Sequence, residues 1–298
     1  NLLLVGTPGS GKTMLARSIP SIIPELTFEE ALEITKIHSV TGAMKGKNGI
    51  VSERPFRAPH HTASSASLIG GGTRAMPGEI SLAHYGVLFL DEFPEFRKDT
   101  LEALRQPIED GFVTITRASA RSTYPAQFML VAAMNPCPCG NYGSRITPCR
   151  CTAQQIQRYR NRISGPMLDR IDIHVEMGEV GYNDIAGRSC GEPSSAIRAR
   201  VNAARAIQTR RYAGTGILFN AQLTNRMMNQ YCVLTSDAEA LMKKAFASLK
   251  LSARAYTRLL KVSRTIADLA GSEQIKAEHI AEAIQYRSLE SKYWGEIR

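Results

Sequence analysis

Short apolar runs alternate with helix-like stretches along the first half of the chain. The runs fall at residues 2–5, 87–90 and 128–133, and residues 171–175 are a fourth candidate. Uninterrupted apolar runs of this length are typical of strands that are buried on both faces of a parallel sheet. The pattern therefore predicts an α/β core over residues 1–180, in which a parallel sheet is sandwiched by helices.

Two segments interrupt this alternation and predict hairpin inserts. Residues 69–78 are glycine-rich and have the composition of a turn. Polar and apolar residues alternate in residues 112–117 and again in residues 121–128. We expect one hairpin insert at about 68–80 and a second at about 110–124.

The rest of the chain has a different pattern. Residues 181–194 are rich in Gly, Ser and Pro and predict a linker, and a basic helix is predicted over about 195–212. We therefore treat 181–235 as a linker with an inserted helix. Beyond it, apolar residues at helical spacing follow candidate helix starts at Ser236 and Ser252, which predicts a small all-α lid domain over 236–298.

The first apolar run leads directly into Gly6-Thr-Pro-Gly-Ser-Gly-Lys-Thr13, which has the spacing of a phosphate-binding loop. Its glycines permit a backbone path that points successive N–H groups at phosphate oxygens, and the following helix adds its positive end. We expect Lys12 to reach the β- and γ-phosphates and Thr13 to ligate Mg²⁺. The chain is therefore predicted to bind ATP or GTP. The predicted phosphate-binding residues are Gly6, Gly9, Ser10, Gly11, Lys12 and Thr13.

Polar residues stand next to the later apolar runs. Asp91 and Glu92 follow the second run, and we expect Asp91 to hold Mg²⁺ and Glu92 to accept a proton from the attacking water or to orient it. Asn135 follows the third run and is a candidate contact to the γ-phosphate or the water, although a lone Asn is often a turn residue. Arg170 precedes the fourth run and is predicted to enter a neighbouring subunit's nucleotide site; the alternative is a surface pair with Asp172.

A second chemical pattern is a cysteine cluster with the spacing C-x-C-x9-C-x-C. Its members are Cys137, Cys139, Cys149 and Cys151. Four thiolates in two close pairs can bind zinc tetrahedrally, although C-x-C is a weaker signal than C-x-x-C. We expect a zinc-binding knuckle over 137–151, with reduced thiols as the first alternative and disulfides as the last. The adjacent His60 and His61 are a poorer metal pair because neighbouring imidazoles chelate badly.

Charge favours a polyanionic partner. The chain has a net charge of +10, and residues 193–236 contain six arginines and no acidic residue. This favours nucleic acid over a merely solvated basic face. In the predicted lid, Arg254 and Arg258 lie one helical turn apart, and we expect Arg254, nearer the helix start, to contact nucleotide phosphate.

No apolar run approaches the length of about 18 residues that a bilayer crossing needs, and no cleavable signal is visible. We therefore expect a soluble, cytoplasmic protein without a membrane partner. The chain begins with Asn1 at the predicted first strand, which suggests that a further region precedes it.

These motifs, in this order, resemble the AAA+ ATPases of the magnesium-chelatase-like branch, and within it the ComM/YifB family. The matching segments include RPFRAPHHTASSASLIGGG, PGEISLAHYGVLFLDEFPEF, LVAAMNPCPCG, CRCT, ISGPMLDRIDIHVE and LSARAYTRLLKVSRTIADLAG. The resemblance implies a homohexameric ring that hydrolyses ATP between subunits, translocates on DNA, and acts as a helicase in branch migration during natural transformation.

The same resemblance implies roles for further residues. It places both hairpins at the central pore, so that Arg74, Arg117 and Arg121 become candidate DNA-phosphate contacts. It also implies that Arg254 acts on a neighbour's nucleotide, and that a Lon-protease-like domain, absent from this sequence, precedes the first strand. Two other functions remain open: a chelatase-type remodelling subunit that acts on a protein without DNA, and a DNA-binding scaffold whose nucleotide only supports assembly.

Overall fold

A computed structural model describes residues 1–42, 44, 49–72, 74–117, 120–181, 191–249 and 251–294. The chain divides into two compact units. Among the described residues, the first contains Asn1–Ile171 and 175–181, and the second contains Asp172–His174 and 191–294. Most of the predicted linker, residues 182–190, lies outside the described residues.

A five-stranded sheet of order β2-β5-β8-β1-β9 organises the first unit. The strands among the described residues are β1 Leu2–Gly6, β2 Phe56–Arg57, β3 Gly70–Gly71, β4 Met76–Pro77, β5 Val87–Leu90, β6 Phe112–Arg117, β7 Ala120–Pro125, β8 Met129–Met134 and β9 Ile173–Met177. The β2–β5, β5–β8 and β8–β1 pairs are parallel. The predicted α/β class with a parallel sheet is confirmed.

Register brings three loop starts together at the carboxyl edge of this sheet. Val5 of β1 is opposite Met134 of β8, and Leu90 of β5 is opposite Ala132 of β8. β5 is fully buried and apolar, and β1 and β8 are buried beyond their first residues, so their register is set by burial on both faces. The residues that follow β1, β5 and β8 are consequently neighbours.

Helices cover the sheet of the first unit. They are α1 Lys12–Ser18, α2 Phe28–Val40, α3 Ser65–Ile69, α4 Glu79–Leu82, α5 Lys98–Ala103, α6 Arg105–Asp110, α7 Ala153–Arg160 and α8 Gly165–Leu168. On one side, Ala16 of α1 and the nearby Ile19 pack on the strand residues Leu4, Phe89 and Val131. Thr27 caps the start of α2 in a capping box: its hydroxyl accepts from the Glu30 N–H, and the Glu30 carboxylate accepts from the Thr27 N–H.

Antiparallel hairpins occur in both predicted inserts. Strands β3 and β4 pair in the first insert, and β6 and β7 pair in the second. The hairpins also contact one another. The Tyr124 hydroxyl donates to the Ala75 carbonyl at 3.0 Å, and a Cβ added to Gly70 would lie 2.8 Å from Ile115 Cδ1.

The second unit is helical. Its helices are α9 Ser194–Arg211, α10 Asn225–Tyr231, α11 Ser236–Ser248, α12 Ala253–Leu269, α13 Ala277–Gln285 and α14 Ser288–Trp294. They enclose an apolar cluster that includes Met228, Met242, Leu259 and Ile280. Within the described ranges, none of the helices combines the length and apolar character needed to cross a membrane.

Candidate nucleotide site and cysteine cluster

The phosphate-binding loop connects β1 to α1. Gly9 and Gly11 have φ values of 79° and 82°, a region that side chains disfavour, and Gly11 is the residue before α1. At Gly6 a Cβ would lie 2.7 Å from Ser10 Oγ and 2.8 Å from Met177 Cβ. The loop therefore needs glycine for its backbone path at two positions and for close packing at a third.

Lys12 points back across this loop. Its Nζ donates to the carbonyls of Gly6 and Thr7 at 2.8 and 2.9 Å and to Asn135 Oδ1 at 3.2 Å. Burial lowers the pKa of Lys12 below its ordinary value, and the negative charge of Asp91 opposes that change. An ammonium with little water around it and only neutral acceptors is well suited to bind a phosphate anion.

The loop and β5 supply the oxygen pair expected for Mg²⁺. The Thr13 hydroxyl donates to Asp91 Oδ2 at 2.8 Å. Both side chains lie at the carboxyl edge of the sheet, and hydroxyl and carboxylate oxygens are ligands that Mg²⁺ accepts. These residues therefore fit the ion.

Glu92 is held by a residue that the sequence did not identify as its partner. Its Oε2 lies 2.8 Å from His61 Nδ1, and the His61 ring lies 4.1 Å from the His60 ring, centroid to centroid. The backbone of Glu92 has a φ of 51°, which is uncommon for a residue with a side chain. The sequence gives no signal of this contact, because it depends on the edge strand β2, which precedes His61, pairs with β5 and has no strand pattern.

Arg170 is buried within its own unit. Its side chain is 4% exposed, its Nη2 lies 2.7 Å from Glu109 Oε1, and its Nη1 donates to the Pro166 carbonyl at 2.5 Å. A single chain contains no neighbouring subunit, so the role of Arg170 in a neighbour's site stays a prediction. Its ion pair with Glu109 was not anticipated from the sequence.

The predicted lid contacts lie at the start of α12. Ser252 caps that helix by accepting from the Ala255 N–H at 3.1 Å. Arg254 is exposed there, whereas Arg258 donates to Asp172 Oδ1 at 2.5 Å within the same unit. A contact between Arg254 and nucleotide stays a prediction.

The four clustered cysteines converge as a metal site requires. Their Sγ atoms all lie within 4.8 Å of one another, with Cys137 3.4 Å from Cys139 and 3.7 Å from Cys149. Zn–S bonds of about 2.3 Å in a tetrahedron separate the sulfur atoms by about 3.8 Å. Among the described residues, this is the group of three or more His, Cys, Asp or Glu side chains that could hold a metal ion, and His60 and His61 are not in it.

The local environment prepares one thiolate. Backbone N–H groups of Arg150 and Asn141 lower the pKa of Cys139 to about 6, so its thiol is largely ionised at neutral pH. Burial raises the pKa of Cys137 to about 12, and the Tyr142 N–H, which points at its sulfur from 3.3 Å, opposes this change. The described cysteines form no disulfide, and the donor set fits zinc.

The candidate DNA contacts differ in what surrounds them. Arg74 and Arg121 are exposed on the two hairpins, while the side chain of Arg117 lies outside the described residues. Part of the basic helix α9 serves local structure: the Arg205 guanidinium stacks on the Phe219 ring at 4.5 Å, and Arg211 pairs with Asp268. The basic run is therefore a mixed surface.

A phosphate loop, a hydroxyl–carboxylate pair and a polar strand end on this parallel sheet define the class of P-loop nucleotide-binding proteins. The sequence matches the family described as magnesium chelatase, subunit ChlI, over residues 1–185, and its C-terminal counterpart over residues 191–287. The chain belongs to this magnesium-chelatase-like AAA+ family.

Comparison with individual proteins gives more specific similarities than the family match. The chain is 48% identical to the competence protein ComM of Haemophilus influenzae over 291 residues, which are 97% of this chain and 56% of the relative. It is 47% identical over 291 residues to the uncharacterized protein YifB of Salmonella typhimurium, with the same coverage of 97% and 56%. A distant similarity, 21% over 295 residues, covers 32% of the zygotic DNA replication licensing factor mcm6-A of Xenopus laevis. The chain thus spans little more than half the length of the two bacterial relatives.

Proposed function

We propose that the chain is the motor part of an ATP-driven, homohexameric DNA translocase that acts in the cytoplasm as a helicase in branch migration during natural transformation. The observation that carries the proposal is the convergence of Lys12, Thr13, Asp91 and Asn135 at one sheet edge. One relative is named a competence protein and another a DNA replication licensing factor, and both names support DNA as the partner. Arg74, Arg117 and Arg121 are the proposed phosphate contacts on DNA.

In this proposal the side chains divide the chemistry among them. Lys12 exchanges its carbonyl and amide acceptors for phosphate oxygens, and Asn135 orients the γ-phosphate or the attacking water. Glu92 accepts the proton of that water. To do so, its carboxylate must either break its contact with His61 or contact His61 and the water at the same time. Mg²⁺ held by Thr13 and Asp91 supplies charge neutralisation at the phosphates. Arg170 and Arg254 complete the site from neighbouring subunits.

The proposal is tested by ATP hydrolysis with and without DNA, measured together with strand displacement on a branched duplex. We expect DNA to stimulate hydrolysis and ATP to drive displacement. Glu92→Gln is expected to bind nucleotide as the wild type does and to lose turnover by at least about 100-fold, because an amide cannot accept the proton. Turnover retained in Glu92→Gln contradicts its role as base, and nucleotide-dependent assembly without DNA-stimulated hydrolysis favours the scaffold.

The trans role of Arg170 has its own test. Arg170→Ala and Lys12→Ala subunits are each expected to be inactive, yet a mixture regenerates sites in which an intact Lys12 faces an intact Arg170. Recovery of hydrolysis on mixing supports a shared site and also shows that the Arg170→Ala chain folds. Arg170→Gln is a second variant that keeps a hydrogen-bond donor for Glu109, and failure of both mixtures contradicts the trans assignment.

The family match itself favours one alternative, a chelatase-type subunit that remodels a protein partner without DNA. Gel shifts with single- and double-stranded DNA across a salt series separate the two functions. Contacts with DNA phosphates release counterions and give a steep fall in affinity with salt. Absence of DNA binding at low salt would favour the remodelling subunit.

We also propose that Cys137, Cys139, Cys149 and Cys151 bind Zn²⁺. Their convergence and the ionised thiol of Cys139 support this. Metal analysis of the purified protein is expected to find one zinc per chain, and Cys149→Ser is expected to lower that content. Freely titrating thiols without metal contradict the proposal.

A further inference from the structure

Gly140, which lies between the cysteines of the cluster in sequence, stands close to the phosphate loop. This glycine follows Cys139, is buried, and has a φ of 83°. A Cβ added to it would lie 2.6 Å from Pro8 Cδ and 2.7 Å from Pro8 Cγ. Carbon atoms cannot approach so closely, so any larger residue at Gly140 must displace Pro8, which lies inside the phosphate loop.

The same short segment carries Asn135. Cys137 is two residues beyond Asn135, and the Gly140 N–H donates to the Cys137 carbonyl at 3.0 Å, which closes a turn. The Asn135 amide oxygen accepts from Lys12 Nζ at 3.2 Å. The turn therefore meets the phosphate loop twice, through Asn135 on Lys12 and through Gly140 on Pro8.

The turn is also held from behind. Arg160, at the end of α7, donates from Nε to the Pro136 carbonyl at 3.3 Å, and its guanidinium lies over the Tyr142 ring at 4.8 Å. The Tyr142 N–H in turn points at Cys137 Sγ. With both flanks fixed, the positions of the sulfur atoms determine where Gly140 stands.

We propose that Gly140 is a positioning residue for the nucleotide site, and that a metal ion bound by the cysteine cluster fixes it in place. Gly140 sets the position of Pro8, and thereby of the loop that carries Lys12. Metal occupancy of the cluster then controls nucleotide affinity, although the four cysteines are not among the proposed nucleotide-binding residues. This inference rests on the proposed nucleotide and zinc binding and adds a dependence of the first on the second.

Two glycines of the same knuckle provide a matched test. Gly143 has a φ of 82°, close to that of Gly140, but a Cβ added there meets nothing within 4 Å. Gly140→Ala and Gly143→Ala therefore carry the same backbone strain, and Gly140→Ala alone presses on Pro8. We expect Gly140→Ala to weaken binding of a fluorescent ATP analogue with Mg²⁺ on the order of tenfold, and Gly143→Ala to change it less than about twofold. Equal losses overturn the proposal.

A second background isolates the contact itself. Pro8→Ala removes the Cγ and Cδ atoms that a side chain at Gly140 would meet. In that background, Gly140→Ala is expected to weaken analogue binding less than about twofold, because the two substitutions couple through one contact. A loss as large as in the wild-type background overturns the role of Pro8. Zinc content is measured in every variant and is expected to stay at the wild-type value, because all four cysteines remain.

The metal dependence is tested on the whole chain without DNA. Protein stripped by a chelator is expected to keep its helical circular dichroism and to lose analogue affinity on the order of tenfold, with recovery on adding zinc. Metal-free protein that binds the analogue as tightly as the zinc form overturns the dependence. Wild-type protein that binds no analogue overturns the proposed function itself, and protein that holds no metal overturns the zinc proposal. Both outcomes are distinct from equal losses in the two glycine variants.

Discussion

Two buried cations, Lys12 in the first unit and Arg264 in the second, lie in opposite kinds of surroundings. Burial lowers the pKa of each, and a nearby aspartate, Asp91 or Asp268, opposes the change. Lys12 is 8% exposed and Arg264 is 0% exposed. The two differ in their acceptors: Arg264 Nη2 lies 3.0 Å from an Asp268 oxygen, whereas Lys12 donates to carbonyl, amide and hydroxyl oxygens.

The aspartate of the second unit is saturated with donors. Asp268 accepts from Arg211 on both oxygens, from Arg264 Nε at 3.1 Å and from Asn220 Nδ2 at 2.8 Å. Arg264 also donates to the carbonyls of Ser272 and Glu273. This network connects α9 to α12 through a buried carboxylate, whereas the neutral acceptors of Lys12 are easily exchanged for an anion. Of these two cations, Arg264, which is paired with a carboxylate, stabilises the fold, whereas Lys12, which faces neutral oxygens, is available to a ligand.

The largest expected effect is on the stability of the network around Asp268. Asp268→Asn removes the charge that both arginines face, and removing one partner of a buried pair costs about 3–5 kcal/mol. We expect a loss of that size in the free energy of unfolding of the second unit, measured by denaturant titration. Glu239→Gln, an equal loss of charge at an exposed position, is the control. Similar losses of unfolding free energy in Asp268→Asn and Glu239→Gln would contradict the structural role that we assign to the pairing of Arg264 with Asp268.

The second prediction concerns the open site. Lys12→Met deletes an ammonium whose hydration is already lost, so we expect the melting temperature to stay the same or to rise. Nucleotide affinity is expected to fall on the order of 100-fold, because a charged contact to phosphate is lost. Calorimetric melting and titration with an ATP analogue measure the two quantities. Exposed Lys36→Met is the control and should leave both unchanged; a marked loss of stability in Lys12→Met would mean that Lys12 is structural.

The smallest expected effect sharpens the same comparison at the surface. Arg200 and Glu192 form a bidentate pair, but their side chains are 60% and 42% exposed. Water and salt screen such a pair, so Glu192→Gln is expected to leave the melting temperature within experimental error. A clear decrease in the melting temperature of Glu192→Gln, measured by calorimetry at moderate salt, would contradict the view that an ion pair contributes to stability because it is buried.

The sequence was sufficient where apolar runs and motif spacing carry the information. The sheet strands β1, β5 and β8 lie within two residues of their predicted positions, because each is a short apolar run. Strand β9 also lies within two residues of the fourth candidate, although polar residues interrupt it. The edge strand β2 was missed, since its two residues stand between prolines and show no period. Ser252 caps a helix as expected, because a cap is decided by local spacing.

Pairings across long sequence distances could not be predicted in the same way. The contact of His61 with Glu92 and that of Arg170 with Glu109 depend on how edge strand and helices pack, and no local pattern encodes either. The ion pair of Arg211 with Asp268 is a similar case, because nothing in a run of basic residues indicates that one of them has a buried partner 57 positions away. Composition alone therefore overstated how much of α9 is available to a polyanion.

The contact between the two hairpins has a mechanical consequence. The Tyr124 hydroxyl is hydrogen-bonded to the Ala75 carbonyl, and Ile115 lies close to Gly70. The two contacts couple the β3–β4 hairpin to the β6–β7 hairpin, so we expect a force on the hairpin that carries Arg74 to reach the hairpin that carries Arg121.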